Sequence, residues 1–209
     1  MPLEQAAILA DAVSTPPFGA VVNTGKVVIG ESVGVWGVGG VGTHIVQLAR
    51  LVGAVPIVAV DLNPAVRDRA LELGADYAFD SRDPDFADKL AQATGGRGLD
   101  VAFDAVGLKV TFEQALNSLT GGGRLVGVGM SAESPTVGPT SMFGLTRRQA
   151  LGHLGYHNKD IETLAQLVSR GRLDLSRSIS QIIPLEDIAD GIRILDQAEG
   201  NPIRVLVQP

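Results

Sequence analysis

A short apolar run, Ser32–Trp36, gives way to six residues holding four glycines, Gly37-Val38-Gly39-Gly40-Val41-Gly42. These open a stretch of helical period in which Ile45, Leu48 and Ala49 share one face. A strand that turns this tightly into a helix points free backbone N–H groups, and the positive end of the helix dipole, at the space above the turn. Gly37 permits the tight turn, Gly39 lets the backbone approach a ligand, and Gly42 lets helix and strand pack closely. Gly40 adds further room. The sequence therefore predicts a strand, a phosphate-sized cradle and a helix. The same spacing also occurs in turns that bind nothing, so context has to decide.

The rest of the chain supplies that context. Short apolar runs recur at Pro56–Val60, Tyr77–Phe79, Leu99–Phe103, Gly123–Val128 and Ala150–Leu154. Most lack strict in-out alternation, as strands covered on both faces of a parallel sheet do. Segments of helical period lie between them. Asn63-Pro64 opens one that Gly74 closes, and Asp83-Pro84 repeats that start before Gly95-Gly96. The expected fold class is α/β, a Rossmann-type doubly wound parallel sheet of about six strands with helices on both faces. The ends fit this winding less well. Residues 3 to 24 read as one or two helices interrupted at Thr15-Pro16-Pro17, Arg177–Ile183 as an isolated strand, Asp187–Gln197 as a helix, and Ile203–Val207 as a last strand. Gly129–Pro139 reads as a surface loop.

Asp61 follows the second apolar run, roughly 20 residues past the glycine turn. A carboxylate there accepts hydrogen bonds from the adenosine ribose hydroxyls and repels a 2′-phosphate, which favours NAD over NADP as the cofactor. Asp61 could equally cap the next helix. Arg67, one turn on, could help hold a 2′-phosphate or stand as a solvated surface charge. Asn63, at the start of that helix, belongs to the same candidate set.

Bulk properties narrow the alternatives. The 209 residues are 45% hydrophobic and 19% charged with a net charge of −6, and the 17 basic residues form no stripe, which argues against nucleic acid or an anionic membrane as partner. There are no cysteines, which suits a reducing cytoplasm and leaves no disulfide framework or cysteine zinc site. The first residues do not read as a signal peptide. No apolar run reaches the roughly 20 residues of a membrane span. The expectation is a cytoplasmic protein.

Taken in order, several motifs resemble those of the medium-chain dehydrogenase/reductase family, the zinc-containing alcohol dehydrogenases. They are the glycine turn, Ala59-Val60-Asp61, Leu73-Gly74-Ala75-Asp76, residues 98–107 from Gly98 to Gly107, residues 122–129 from Gly122 to Gly129, Pro184-Leu185-Glu186-Asp187-Ile188-Ala189, and Ile203-Arg204-Val205-Leu206. The resemblance covers nearly the whole chain. It implies that Val41 and Val128 line a nicotinamide pocket with Thr15 near the carboxamide, that Val106 and Gly107 sit beside the adenosine half, and that Arg204 reaches the pyrophosphate. Each valine could instead be plain core, and Arg204 an edge-strand charge. The resemblance also implies residues 1–25 as a helical junction with a catalytic domain, 26–175 as the NAD(P)-binding domain, and 176–209 as a strand-helix-strand returning to the catalytic side.

Family members carry a GroES-like catalytic domain ahead of this one, which supplies most zinc ligands and much of the substrate pocket. The remaining family ligand, usually a cysteine, falls here on Asp11. One carboxylate cannot hold zinc, because a stable site needs three protein ligands, so zinc is expected only in a longer parent protein. The implied activity is hydride transfer between an alcohol or carbonyl substrate and nicotinamide, with the isolated chain binding NAD(H) weakly and turning nothing over. The alternatives are a zinc-free quinone or enoyl reductase domain and a stand-alone NAD(H)-sensing module. His44 reads as a packing or surface residue, and His153 and His157 as lacking a carboxylate or cysteine companion. A homodimer paired along the edge strand Ala150–Leu154 is expected, since an unpaired apolar edge invites association.

Overall fold

The computed structural model describes residues 1–209, except for the side chains of Asp11, Thr15 and Pro16. Six parallel strands make the central sheet: β1 (Val33–Trp36), β2 (Ile57–Val60), β3 (Tyr77–Phe79), β4 (Leu99–Asp104), β5 (Leu119–Gly127) and β6 (Gln149–Gly152). Their spatial order is β3-β2-β1-β4-β5-β6, the doubly wound order that reverses direction between β1 and β4. The expected fold is present.

The two faces explain the continuous apolar runs. Val33 and Val35 of β1, Ile57 and Ala59 of β2, and Val101 and Phe103 of β4 belong to one buried cluster with Ile45, Leu48 and Ala49 of α2 (Gly42–Val52). Trp36, Val58, Val60 and Ala102 face the other way, onto Leu90 of α4 (Phe86–Ala93) and Ala115 and Leu116 of α5 (Lys109–Asn117). Alternate residues thus enter different cores, and both sets must be apolar.

Helix α3 (Pro64–Glu72) starts where its sequence says it should. The Asn63 side chain accepts the Ala65 N–H at 3.0 Å, and Pro64 occupies the first helical position. Capping therefore falls to Asn63 and not to Asp61. The parallel expectation at Asp83-Pro84 shifts by two residues. The Asp83 carbonyl accepts the Phe86 N–H in a turn, its carboxylate pairs with Lys89 at 3.1 Å, and α4 begins at Phe86.

At the start of the chain, α1 (Leu3–Ala7) is followed by a wide helical segment, Leu9–Thr24, of π type. The winding runs through Pro16-Pro17, and the break falls at Ile8, which corrects the expected interruption at the prolines. Proline disrupts the i→i−4 ladder of an α-helix, whereas here Gly25 N–H reaches back five residues to Ala20 at 2.6 Å. Val13, Phe18, Ala20 and Val21 of this segment are buried against the sheet's first core, and that burial overrides the local preference.

Helices α6 (Thr140–Thr146) and α7 (Asn158–Ser169) follow, and residues 129–139 form the expected surface loop. The expected isolated strand, β7 (Ile179–Pro184), is paired in parallel with β8 (Arg204–Gln208), with α8 (Ile188–Asp196) between them. This second sheet matters because it carries Arg204.

Candidate functional site

The carboxyl ends of β1, β2, β4 and β5 converge where the strand order reverses, the usual ligand crevice of such sheets. Gly37 leaves β1 with φ +80°, a conformation side-chain-bearing residues rarely adopt, and donates its N–H to the Val60 carbonyl at 2.8 Å. Five residues on, a Cβ at Gly42 would overlap the Gly37 carbonyl oxygen, so only glycine lets α2 start this close to β1. Gly39 differs: a methyl group there would meet no atom within 4 Å. Among the described residues, no acceptor takes the N–H groups of Gly39, Gly40 or Val41. The turn is closely packed at Gly37 and Gly42 and open at Gly39, where an anion could approach the backbone.

Asp61 closes the crevice at the end of β2. One carboxylate oxygen accepts the Val38 N–H at 2.9 Å and the other the Asn63 N–H at 2.9 Å. A carboxylate has about four lone-pair sites, so ribose hydroxyls could still be accepted. Val38 itself points into the core, fully buried, and its place in the site is through this N–H. The Asn63 amide reaches Asn201, at 2.5 Å. Arg67 is no solvated surface charge: its guanidinium donates to the Asp61 carbonyl at 2.8 Å and pairs with Asp80 at 3.3 Å.

On the opposite wall, Asp104 ends β4 and its Oδ1 accepts the N–H groups of Val106 and Gly107, both at 3.1 Å. Burial pushes its carboxyl above the usual range, with those two N–H groups opposing. The Asp104 carbonyl accepts the N–H groups of Val128 and Gly129 at 2.9 Å. Val106 and Gly107 are therefore held against the end of β5, and Val41 and Val128 are half-buried beside the first core. Arg204 comes from far along the chain, yet a Cβ at Gly40 would overlap its guanidinium Nη1. The turn and the last strand meet at that point. Thr15 and Asp11 lie outside the described side chains.

Several residues here have no obvious signal in the sequence. Arg69 donates to the Asn201 carbonyl at 2.7 Å, and burial pulls its pKa down while Asp61 opposes. His44 is fully buried, with Nδ1 3.0 Å from the Gly40 carbonyl and Nε2 2.9 Å from Ser178 Oγ. Its position four residues past Gly40, one helical turn on, was the only available hint. His153 Nδ1 lies 2.8 Å from Thr24 Oγ1, and the His157 N–H is accepted by the Asp160 carboxylate at 2.9 Å. A cavity of about 880 Å3 lies elsewhere, between α4 and α5.

The match to known proteins is extensive. The sequence pattern described as zinc-binding dehydrogenase fits residues 40–170, more than half of the chain. The chain belongs to that family. It is the cofactor-binding domain of a medium-chain, zinc-type alcohol dehydrogenase relative. An alcohol dehydrogenase of Cupriavidus necator is 31% identical over 209 residues, covering 99% of this chain and 56% of that protein. The (R,R)-butanediol dehydrogenase of Bacillus subtilis is 30% identical over 190 residues, covering 90% and 54% respectively. The structure of an alcohol dehydrogenase from Thermus sp. ATN1 superposes with a TM-score of 0.87 at 28% identity, over 100% of this chain and 59% of that one. The chain thus spans little more than half the length of the relatives it matches. All three of these relatives are dehydrogenases by name.

The donor set separates the two groups such a family implies. The open glycine cradle, the Asp61 carboxylate and the Arg204 guanidinium fit a dinucleotide. Zinc does not fit as well: among the described residues no group of three His, Cys, Asp or Glu side chains converges to hold a metal. Nor is any helix among them long and apolar enough to cross a membrane.

Proposed function

We propose that this chain binds NAD(H) and presents it for hydride transfer to or from a small alcohol or carbonyl substrate in an alcohol dehydrogenase-like enzyme. The observation that carries the reading is the conjunction at the glycine turn: an open cradle at Gly39, the Arg204 cation at Gly40, and the Asp61 carboxylate at the end of β2. The N–H groups of Gly39, Gly40 and Val41, with Arg204, meet the pyrophosphate charge. Asp61 accepts the adenosine ribose hydroxyls, flanked by Asn63 and Arg67. Val106 and Gly107 border the adenosine half, and Val41 and Val128 the nicotinamide, with Thr15 at its carboxamide. When bound, the nicotinamide supplies or accepts the hydride, while the chain's own part is binding and orientation.

Residues 26–175 form the cofactor domain in this reading. Residues 1–25 and 176–209 face a catalytic half that brings the substrate pocket and any zinc, with Asp11 as this chain's contribution. Ile188, Ile192 and Leu195 support this, as they leave an exposed apolar stripe along α8. A cytoplasmic location is proposed on the lack of cysteines, and a homodimer on the exposed edge at β6.

Calorimetric titration of the chain with NAD+ and NADP+ side by side tests the cofactor assignment. NAD+ should bind, and tighter than NADP+. Heat from neither, or tighter NADP+ binding, overturns it.

A further inference from the structure

We infer that His44 is a positioning residue: through Gly40 and Ser178 it sets the C-terminal strand pair against the glycine turn, so that Arg204 stands over Gly40. The inference rests on the reading of that turn as a dinucleotide phosphate site.

The hydrogen-bond chemistry fixes the histidine's state. A carbonyl oxygen can only accept, so Nδ1 carries the proton shared with Gly40. In the neutral ring, which burial favours, Nε2 is then an acceptor and Ser178 Oγ the donor. Both nitrogens of a neutral ring are satisfied in a fully buried place, with burial and the nearby Arg204 charge both disfavouring protonation. An apolar side chain would fill the same volume. The polar ring instead ties two segments 134 residues apart.

Those two segments close a circuit. Ser178 is followed directly by Ile179, the first residue of β7, and Ile179 is paired with Arg204 on β8. Ser180 accepts the Ile203 N–H at 2.8 Å, which fixes the residue before Arg204. Arg204 then returns its guanidinium to Gly40, whose carbonyl His44 holds. From the other side, Arg69 and Asn63 grip Asn201 in the loop just before β8. A cation on a two-stranded sheet outside the main fold is thereby given one position over the turn. Pre-set geometry of this kind raises affinity by removing an ordering cost from binding.

The test measures NADH binding by fluorescence titration in His44→Leu, Ser178→Ala, Arg204→Gln and the His44→Leu/Arg204→Gln double variant of the chain. His44→Leu should weaken binding about tenfold, equivalent to about 1.4 kcal/mol, and Ser178→Ala severalfold. In the Arg204→Gln background, His44→Leu should add less than about a twofold loss, because its effect runs through Arg204. Multiplying losses overturn the inference. Amide hydrogen exchange on the cofactor-free chain decides it independently: His44→Leu or Ser178→Ala should speed exchange at residues 37–42 and 200–205 together. Acceleration confined to α2, or none, refutes the positioning role. If the wild-type chain binds no NADH, the cofactor reading fails while exchange still decides the link.

Discussion

The Asp61 carboxylate accepts the Val38 N–H at 2.9 Å, joining the end of β2 to the glycine turn that leaves β1. The residue proposed to recognise the ribose is thus also part of the frame of the phosphate cradle. Two consequences of substituting it should appear together.

Asp61→Ser removes the carboxylate that repels a 2′-phosphate and leaves the Val38 and Asn63 N–H groups short of an acceptor. Affinity for NAD+ should fall tenfold or more, and the NAD+ to NADP+ preference should narrow or reverse, with Arg67 already at the Asp61 carbonyl. Unfolding stability should drop by about 1–3 kcal/mol. An unchanged cofactor ratio in parallel titrations would remove Asp61 from the recognition set.

Within the turn, two glycines should separate binding from folding. Gly39→Ala puts a methyl group into open space, so thermal stability should change little while NADH affinity falls at least tenfold. Gly42→Ala drives a methyl group into the Gly37 carbonyl, and the melting temperature itself should fall by several degrees. Thermal melts and NADH titrations on both variants check this. Equal binding by Gly39→Ala and wild type would mean that the turn holds no phosphate.

The sheet and the turn were legible because their signals are local. Burial on two faces makes each strand a short apolar run, and the turn's glycines and Asp61 are set by chain geometry over some twenty residues. Asn63-Pro64 was legible for the same reason. The helix through Pro16-Pro17 was not, because its packing against the sheet decides its winding. Arg204 could be placed only by resemblance, since its meeting with Gly40 depends on how β7 and β8 pair. The hydrogen bonds of the buried His44 are not legible in the sequence, because its partner Ser178 lies 134 residues away. Two acidic or amide residues precede α3, and which of them caps it is decided by geometry: Asn63 does, while Asp61 accepts the Asn63 N–H.

At the far end of the sheet, β6 is an edge strand with Gln149, Ala150 and Gly152 exposed, and Leu145 and Leu154 are among the most exposed apolar residues. An edge of this kind is a template for pairing. Light scattering should give twice the chain mass, and Ala150→Lys with Leu154→Lys should give the monomer with its melting temperature little changed at low concentration. A monomeric wild type would rule out the edge-paired homodimer for the chain alone.

His44 should leave its own mark on stability against pH. Burial, then the Arg204 charge, lowers its pKa from 6.5 to about 4, against the opposing bond to Gly40. Between those values the unfolded chain binds a proton that the folded chain refuses, so stability rises with pH there. The contribution is fully present above pH 6.5 and is lost as pH falls toward about 4, for a total of about 3 kcal/mol. Asp174, whose carboxyl is held low by its bonds to Ser176, loses its contribution in the same direction but within the carboxylate range. Comparison with His44→Leu separates the two. Urea unfolding at pH 7.5 and pH 5 should show the wild type losing about 2 kcal/mol more than the variant, which has no imidazole to protonate at this site. If both lose the same amount, the ring titrates alike in the folded and unfolded chain, and the fold does not hold it neutral between pH 6.5 and about 4.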